Sequence, residues 1–561
     1  MSGGAATTDG DGASAAAVPG SYLVVTDKPT SLQDVRLAVT QAGGVITDGD
    51  PVFGTLSVTS SRSDFAAVLD RQPGVLGVAR NRVIGALPGA LASPSDRSVT
   101  TGSGSAGGSA TARPDLVPGS LGGISASSGL ARSKGAEPLA NLQWDMKAIG
   151  ATTGGSYAKE RGSHDVLVGV LDSGIDGNHP DIRANFDAGR SRNFVTDIPA
   201  LDGPCEHPSC VDPVNEDDDG HGTHVAGTIG SPINGIGIGG VAPKVKLLNI
   251  RVGQDAGFIF VGPMIKALKY AADIGVDVVN MSFFVDPWLY NCTANRADTP
   301  QQQAEQRGII TVTRRALEYA HSHGVTMVAA LGNEHADLGH PRADASSPDY
   351  PNGTAHRRTI DNATCLDLPV EGPHVIGVAS VGPSGKKADY SDYGLEQNDV
   401  SAPGGFLRDF AGTPRSGQPS DLVLAPMPHN VALLSGKIDK TTGASTSPMV
   451  IARCRGKGPD HCTYWQYLQG TSMASPHAAG VAALIVARYG RSDGHGGLTL
   501  APDRVEAILK KTATDVACPA PVITYTAEQR PAEFNAPCVG TAARNSIYGD
   551  GVVNAARAVG A

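Results

Sequence analysis

The sequence is short of positive charge: 45 Lys and Arg against 55 Asp and Glu leave a net charge of -10. No basic face able to neutralise a phosphate backbone can be picked out, which argues against nucleic acid as a partner. Long apolar runs are missing as well. No stretch reaches the roughly 18 residues of a membrane span, so no membrane partner is expected. Runs of like charge are absent apart from Glu216-Asp217-Asp218-Asp219, which reads as a solvated loop rather than a metal site. No two of the eight cysteines have C-x-x-C spacing, so zinc and redox sites of that type drop out. The first residues, Met1-Ser2-Gly3-Gly4-Ala5-Ala6, lack the basic region and apolar core of a secretion signal.

What is present is a chain of 561 residues, 40% hydrophobic and 18% charged, long enough for a large core and a second, smaller domain. With 71 Gly and 38 Pro, many loops are expected. The cysteines fall into three local pairs, Cys205 with Cys210, Cys454 with Cys462 and Cys518 with Cys538, leaving Cys292 and Cys365. Eight cysteines permit 105 pairings, so proximity is only a guide. Four disulfides and an oxidising, extracytoplasmic home are expected, hence a secreted protein whose signal is no longer at this start. That localisation rests on the cysteines alone.

Residues 1–20 are small and polar, the composition of a disordered tail. From 21 to 87 the pattern reads strand (22–26), helix (31–42), two strands (45–47 and 53–58), a helix around Phe65, Val68 and Leu69, and a last strand (75–79). This β-α-β-β-α-β order fits a small split-βαβ, ferredoxin-like α+β domain. Residues 88–137 are rich in Gly, Ser and Ala and read as a linker. From 138 to 561 continuous apolar runs at 166–171, 245–252, 276–282 and 325–330 alternate with helical stretches such as 264–274 and 313–323. Such runs mark strands buried on both faces, so a doubly wound, mostly parallel α/β sheet is expected, with chemistry at strand C-termini and helix N-termini.

Three residues stand at such ends. Asp172 closes the 166–171 strand, and His221 opens a helix of small residues. Ser472 opens another, within Gly470-Thr471-Ser472-Met473-Ala474-Ser475-Pro476-His477, where Pro476 fits a first helical turn. A lone serine before a helix is ordinarily an N-cap, an aspartate after a strand a turn former, and a histidine a cap. Together they supply a nucleophile, an orienter and a general base.

These blocks, Leu171-Asp172-Ser173-Gly174-Ile175, His221-Gly222-Thr223-His224-Val225-Ala226-Gly227-Thr228 and the Ser472 run, resemble the active-site blocks of subtilisin-like serine peptidases, in the family's Asp, His, Ser order. The resemblance implies a secreted endopeptidase acting on polypeptides, with 21–87 as an inhibitory propeptide, made as a self-processing zymogen and working as a monomer. It also implies that Asn333, in Ala329-Ala330-Leu331-Gly332-Asn333, completes an oxyanion hole with the nucleophile's N–H. Substrate would add a strand beside Ser282, Phe283 and Phe284, and Leu331 and Gly332 would line the pocket for the side chain before the cut. The family's Ser-Leu-Gly-Gly is here Ser282-Phe283-Phe284-Val285, which reshapes that pocket. Insertions at 286–308, 334–372 and 405–467 are expected around the cleft. No cofactor is needed for the chemistry, while Asp181 and Asn234 match ligand positions of a structural calcium. A non-catalytic peptide-binding protein on the same scaffold, or an esterase, are the alternatives. The triad order and Gly-x-Ser-x-Ala spacing disfavour the esterase.

Overall fold

The computed structural model describes residues 20–81, 137–350, 352–494 and 497–560. The expected tail up to residue 19, the end of the first domain beyond residue 81 and the linker as far as residue 136 lie outside them. The N-terminal domain runs β1 (Gly20–Thr26), α1 (Leu32–Gln41), β2 (Val45–Asp50), β3 (Thr55–Ser60), α2 (Phe65–Leu69) and β4 (Val75–Asn81), in the anticipated element order. Its antiparallel sheet has the order β2-β3-β1-β4, with Val24 opposite both Leu56 and Val78.

Strand periodicity explains how this sheet is used on both faces. Tyr22 and Val24 pack onto the domain's own helices, with Val35, Val39, Phe65 and Leu69. Leu23 and Val25, one residue out of phase, join Phe53 and Ala79 in the core of the larger domain.

In the larger domain, β5 (Leu167–Leu171), β6 (Arg192–Asn193), α3 (His221–Gly230), β7 (Lys246–Arg251), α4 (Val261–Asp273), β8 (Val278–Met281), α5 (Pro300–Ser322), β9 (Thr326–Ala330), β10 (Val375–Val381) and β11 (Val400–Pro403) build a seven-stranded sheet. Its order is β11-β10-β9-β8-β5-β7-β6, and every pairing is parallel. One core lies between the sheet and α4 and α5. The other lies under α3 and α6 (Thr471–Tyr489), where an almost fully buried helix of Ala, Gly and Val allows close approach to the strands. Two layers of helix over a parallel sheet are the doubly wound arrangement the apolar runs called for.

The N-terminal domain rests on α4 and α5. Arg315 on α5 donates to the carbonyls of Thr26 (3.1 Å), Phe53 (2.8 Å) and Asp27 (2.8 Å). Lys266 pairs with Asp48 at 2.6 Å. Gly77 lies so near this surface that a Cβ on it would come within 2.1 Å of the Ala304 carbonyl.

Helix α5 begins well before the expected 313. A capping box of Thr299 and Gln302, with Pro300 in the first turn, starts it early and takes 300–308 out of the supposed insertion. The 405–467 insertion is a second correction. Its strands β12 (Val423–Met427), β13 (Val450–Cys454) and β14 (Cys462–Leu468) form an antiparallel sheet behind α3, where His224 Nε2 meets the carbonyls of Val423 (3.1 Å) and Gln466 (3.2 Å). Among the described residues it contributes nothing to the lining of the main cleft, whereas 334–372 does. The four disulfides join Cys205–Cys210, Cys292–Cys365, Cys454–Cys462 and Cys518–Cys538.

Candidate active site

Asp172 follows the last residue of β5, and His221 is the first residue of α3. Gly222 lets that helix start against the strand end, since a Cβ there would lie 2.2 Å from the Gly174 carbonyl. Asp172 Oδ1 accepts from His221 Nδ1 at 2.7 Å and from the Ser173 N–H at 2.8 Å. An ionised carboxylate can only accept, so the imidazole proton belongs on Nδ1 and Nε2 is left for the cleft. Burial by itself would push His221 down, but Asp172, with Asp219 and Asp217 nearby, overrides it and holds the imidazole up at about 9.

The acidic run 216–219 is not the solvated loop expected of it. Asp217 is buried and accepts from Ser173 Oγ (3.0 Å), the Gly220 N–H (2.9 Å) and both the N–H and Oγ1 of Thr223 (2.9 and 2.6 Å). One carboxylate thus satisfies free donors at the start of α3 and ties it to the turn carrying Asp172. Its role was hidden in the sequence because a run of four acids usually signals solvent, and only the fold supplies the donors.

Ser472 lies in the first turn of α6, and its hydroxyl donates to the Ser282 carbonyl at 3.2 Å. The helix begins at Thr471, so Pro476 is its sixth residue and not in the first turn as expected. A proline there leaves the carbonyl four residues back without its helical donor. That carbonyl belongs to Ser472, and Ser282 Oγ supplies the missing bond at 3.0 Å while also meeting Ser475 Oγ at 2.9 Å. Ser282 therefore fixes the turn that carries Ser472. The Asn333 side-chain oxygen accepts from the N–H (2.9 Å) and Oγ1 (3.0 Å) of Thr471, leaving its Nδ2 as the donor available to the cleft.

Asp172, His221, Ser472 and Asn333 all line one cleft of about 640 Å³, together with Ser282, Phe283, Phe284 and Gly332. Leu331 does not join them. It is wholly buried in the core beneath, its N–H bonded to the Val378 carbonyl at 3.1 Å, because alternate residues leaving β9 face opposite ways.

Asp181 and Asn234 are brought together at the loop that follows α3. Asp181 Oδ2 accepts from the Ile238 N–H (2.8 Å) and Trp465 Nε1 (3.0 Å), while Oδ1 is buried with no donor. Asn234 donates to the Pro180 carbonyl at 3.1 Å, and Glu137, which the sequence did not single out, accepts from the N–H groups of Gly235 (2.9 Å) and Ile236 (3.0 Å). Burial pushes the Asp181 carboxyl up to about 7, the condition of a hard oxygen ligand without a cation.

The subtilase family model matches residues 163–549. Fervidolysin of Fervidobacterium pennivorans is 27% identical over 389 residues, which is 68% of this chain and 41% of fervidolysin, so the chain spans well under half of that relative's length. Subtilisin DY of Bacillus licheniformis is 26% identical over 355 residues, 63% of this chain and 84% of its own. Among solved structures, the epidermin leader peptide processing serine protease of Staphylococcus aureus superposes with a TM-score of 0.60 at 19% identity, covering 97% of this chain and 98% of its own, a likeness of fold. The chain belongs to the subtilase family of serine peptidases.

Proposed function

We propose that this chain is a secreted serine endopeptidase, made as a self-processing zymogen, that cuts peptide bonds through an acyl-enzyme on Ser472. The observation that carries the reading is the Asp172–His221 pair at 2.7 Å, opening onto the cleft that Ser472 also lines. A serine hydroxyl is unreactive at neutral pH. Rotating about χ1 from the Ser282 carbonyl to Nε2 of His221, it would give up its proton as it attacks the substrate carbonyl. Asp172 steadies the imidazolium. The oxyanion forms opposite Asn333 Nδ2 and the Ser472 N–H, at the positive end of α6. His221 then returns the proton to the departing amine, and water releases the acyl group by the same steps.

The zymogen reading is supported by the N-terminal domain, whose sheet is half covered by the enzyme domain's own core and clamped by Arg315. Removing such a domain requires a cut, and residues 82–136 are the segment in which we place it. We also assign a structural calcium to Asp181, Glu137 and Asn234, whose oxygens suit a hard cation. Such an ion would stabilise the loop after α3 and take no part in the chemistry.

Mass spectrometry of wild type beside Ser472→Ala tests the reading. Wild type should lose its N-terminal region and take up a fluorophosphonate at Ser472, while Ser472→Ala stays full-length and unlabelled. Equal intact masses would refute self-processing, and an unlabelled serine in processed protein would favour a non-catalytic scaffold.

A further inference from the structure

The cleft is acidic beyond what the triad needs. Six of its lining side chains are carboxylates, and none is Lys or Arg. Two of the six, Glu334 and Asp367, come from the 334–372 insertion and line the same cleft as Ser472. Glu334 directly follows Asn333, whose N–H its Oε2 accepts at 2.8 Å. A Cβ on Gly332 would lie 3.2 Å from that same oxygen and within 2.3 Å of Asp392 Oδ2, so two carboxyls back the Gly332 wall. The Val285 N–H donates to the Leu368 carbonyl at 2.9 Å, which ties the residue after Asp367 to the residue after Phe284, and Asp367, Phe283 and Phe284 all line the cleft. The Cys292–Cys365 disulfide anchors that segment two residues before Asp367.

Asp367 is 2% exposed and lines the cleft, yet among the described residues no donor reaches its carboxyl oxygens. Burial, then Glu371, Glu334 and Asp392, push its carboxyl well above the usual range, and only Arg342 opposes them. The Arg342 guanidinium is stacked 4.1 Å from the Tyr290 ring and donates to the His340 carbonyl at 3.2 Å, away from the cleft lining. A buried carboxyl held among like charges with no hydrogen bond costs stability unless a cation arrives from outside.

Resting on the peptidase reading above, we infer that this pocket selects an arginine or lysine immediately before the cut bond, with Asp367 as the specificity-determining residue and Glu334 in support. Phe283 and Phe284 pack against the aliphatic stem and the cationic head meets the carboxylates. An apolar side chain would cover the Asp367 carboxyl without giving it a partner, and sites built around polar partners reject such substrates strongly.

The test uses processed wild-type enzyme and four coumarin-amide peptides that differ only in the residue before the cut: Arg, Lys, Phe or Leu. Arg and Lys should exceed Phe and Leu by about 10²-fold or more in kcat/KM, and Asp367→Asn should lower the Arg-to-Phe ratio at least ~10-fold. Benzamidine, a guanidinium mimic, should slow fluorophosphonate labelling of wild-type Ser472. This measurement and the wild-type ranking decide the matter if Asp367→Asn does not mature. Phe or Leu cut as well as Arg, or an unchanged ratio in Asp367→Asn, would overturn the inference while leaving the peptidase reading intact. No cleavage of any peptide with no labelling of Ser472 would remove both.

Discussion

Replacing Asp219 by asparagine should shift the pH at which the enzyme becomes active. Asp219 Oδ1 accepts the backbone N–H of His221 at 3.0 Å, and asparagine retains that oxygen, so the helix start is preserved while one negative charge is lost. Burial pushes the Asp219 carboxyl up to about 7, so it is ionised in the range where His221, held at about 9, titrates. A protonated imidazole cannot take the serine proton, so reactivity should rise with pH through about 9 in wild type. One nearby carboxylate at a partly exposed site is worth on the order of 1 kcal/mol, which moves the limb down by roughly one pH unit. At pH 7 wild-type Asp219 is itself about half protonated, so the neutral fraction of His221, and the rate with it, should rise by only about 2-fold there, with a larger gain nearer pH 8 where Asp219 is ionised. The assay is the rate of Ser472 labelling by a small fluorophosphonate between pH 6 and pH 11, which avoids any contact of residue 219 with a peptide. A limb that stays put, or moves upward, would show that Asp219 does not support the imidazolium.

Asn333→Leu should lower kcat by about 10² to 10³ with little change in KM, a figure carried over from a subtilisin rather than worked from this structure. A loss confined to KM would remove Nδ2 from the oxyanion site. Calcium at Asp181 should be pH-dependent. A carboxyl raised to about 7 holds its proton at pH 5.5 and competes with the cation, so EDTA should lower Tm more at pH 8 than at pH 5.5. Asp181→Asn should abolish the difference, and an equal effect at both pH values would refute the site.

The sequence by itself determined the sheet and where along it the three proposed catalytic side chains stand. Apolar runs with no alternation are legible as strands buried on both faces, and the observed β5, β7, β8 and β9 lie within two residues of the runs that announced them. Asp172, His221 and Ser472 were legible because strand ends and helix starts can be read locally, from a carboxylate after an apolar run or small residues after a polar one. The out-of-phase Leu23 and Val25 were legible as strand residues but not as part of a second domain's core.

Tertiary structure alone decided what each acid faces. In a linear reading Asp217 is one of four acids in a row, and only docking of α3 on the β5 turn surrounds it with four donors. Pro476 looked like a first-turn residue, and the bond that compensates it comes from Ser282, 190 positions from the Ser472 carbonyl it fills. Asp367 carries no local signal of any kind: it lines the cleft on a segment held by the Leu368–Val285 bond and the Cys365–Cys292 disulfide. Secondary structure is written in short-range periodicity, whereas the charge environment of a side chain depends on groups hundreds of residues away, and only the folded chain brings those within reach.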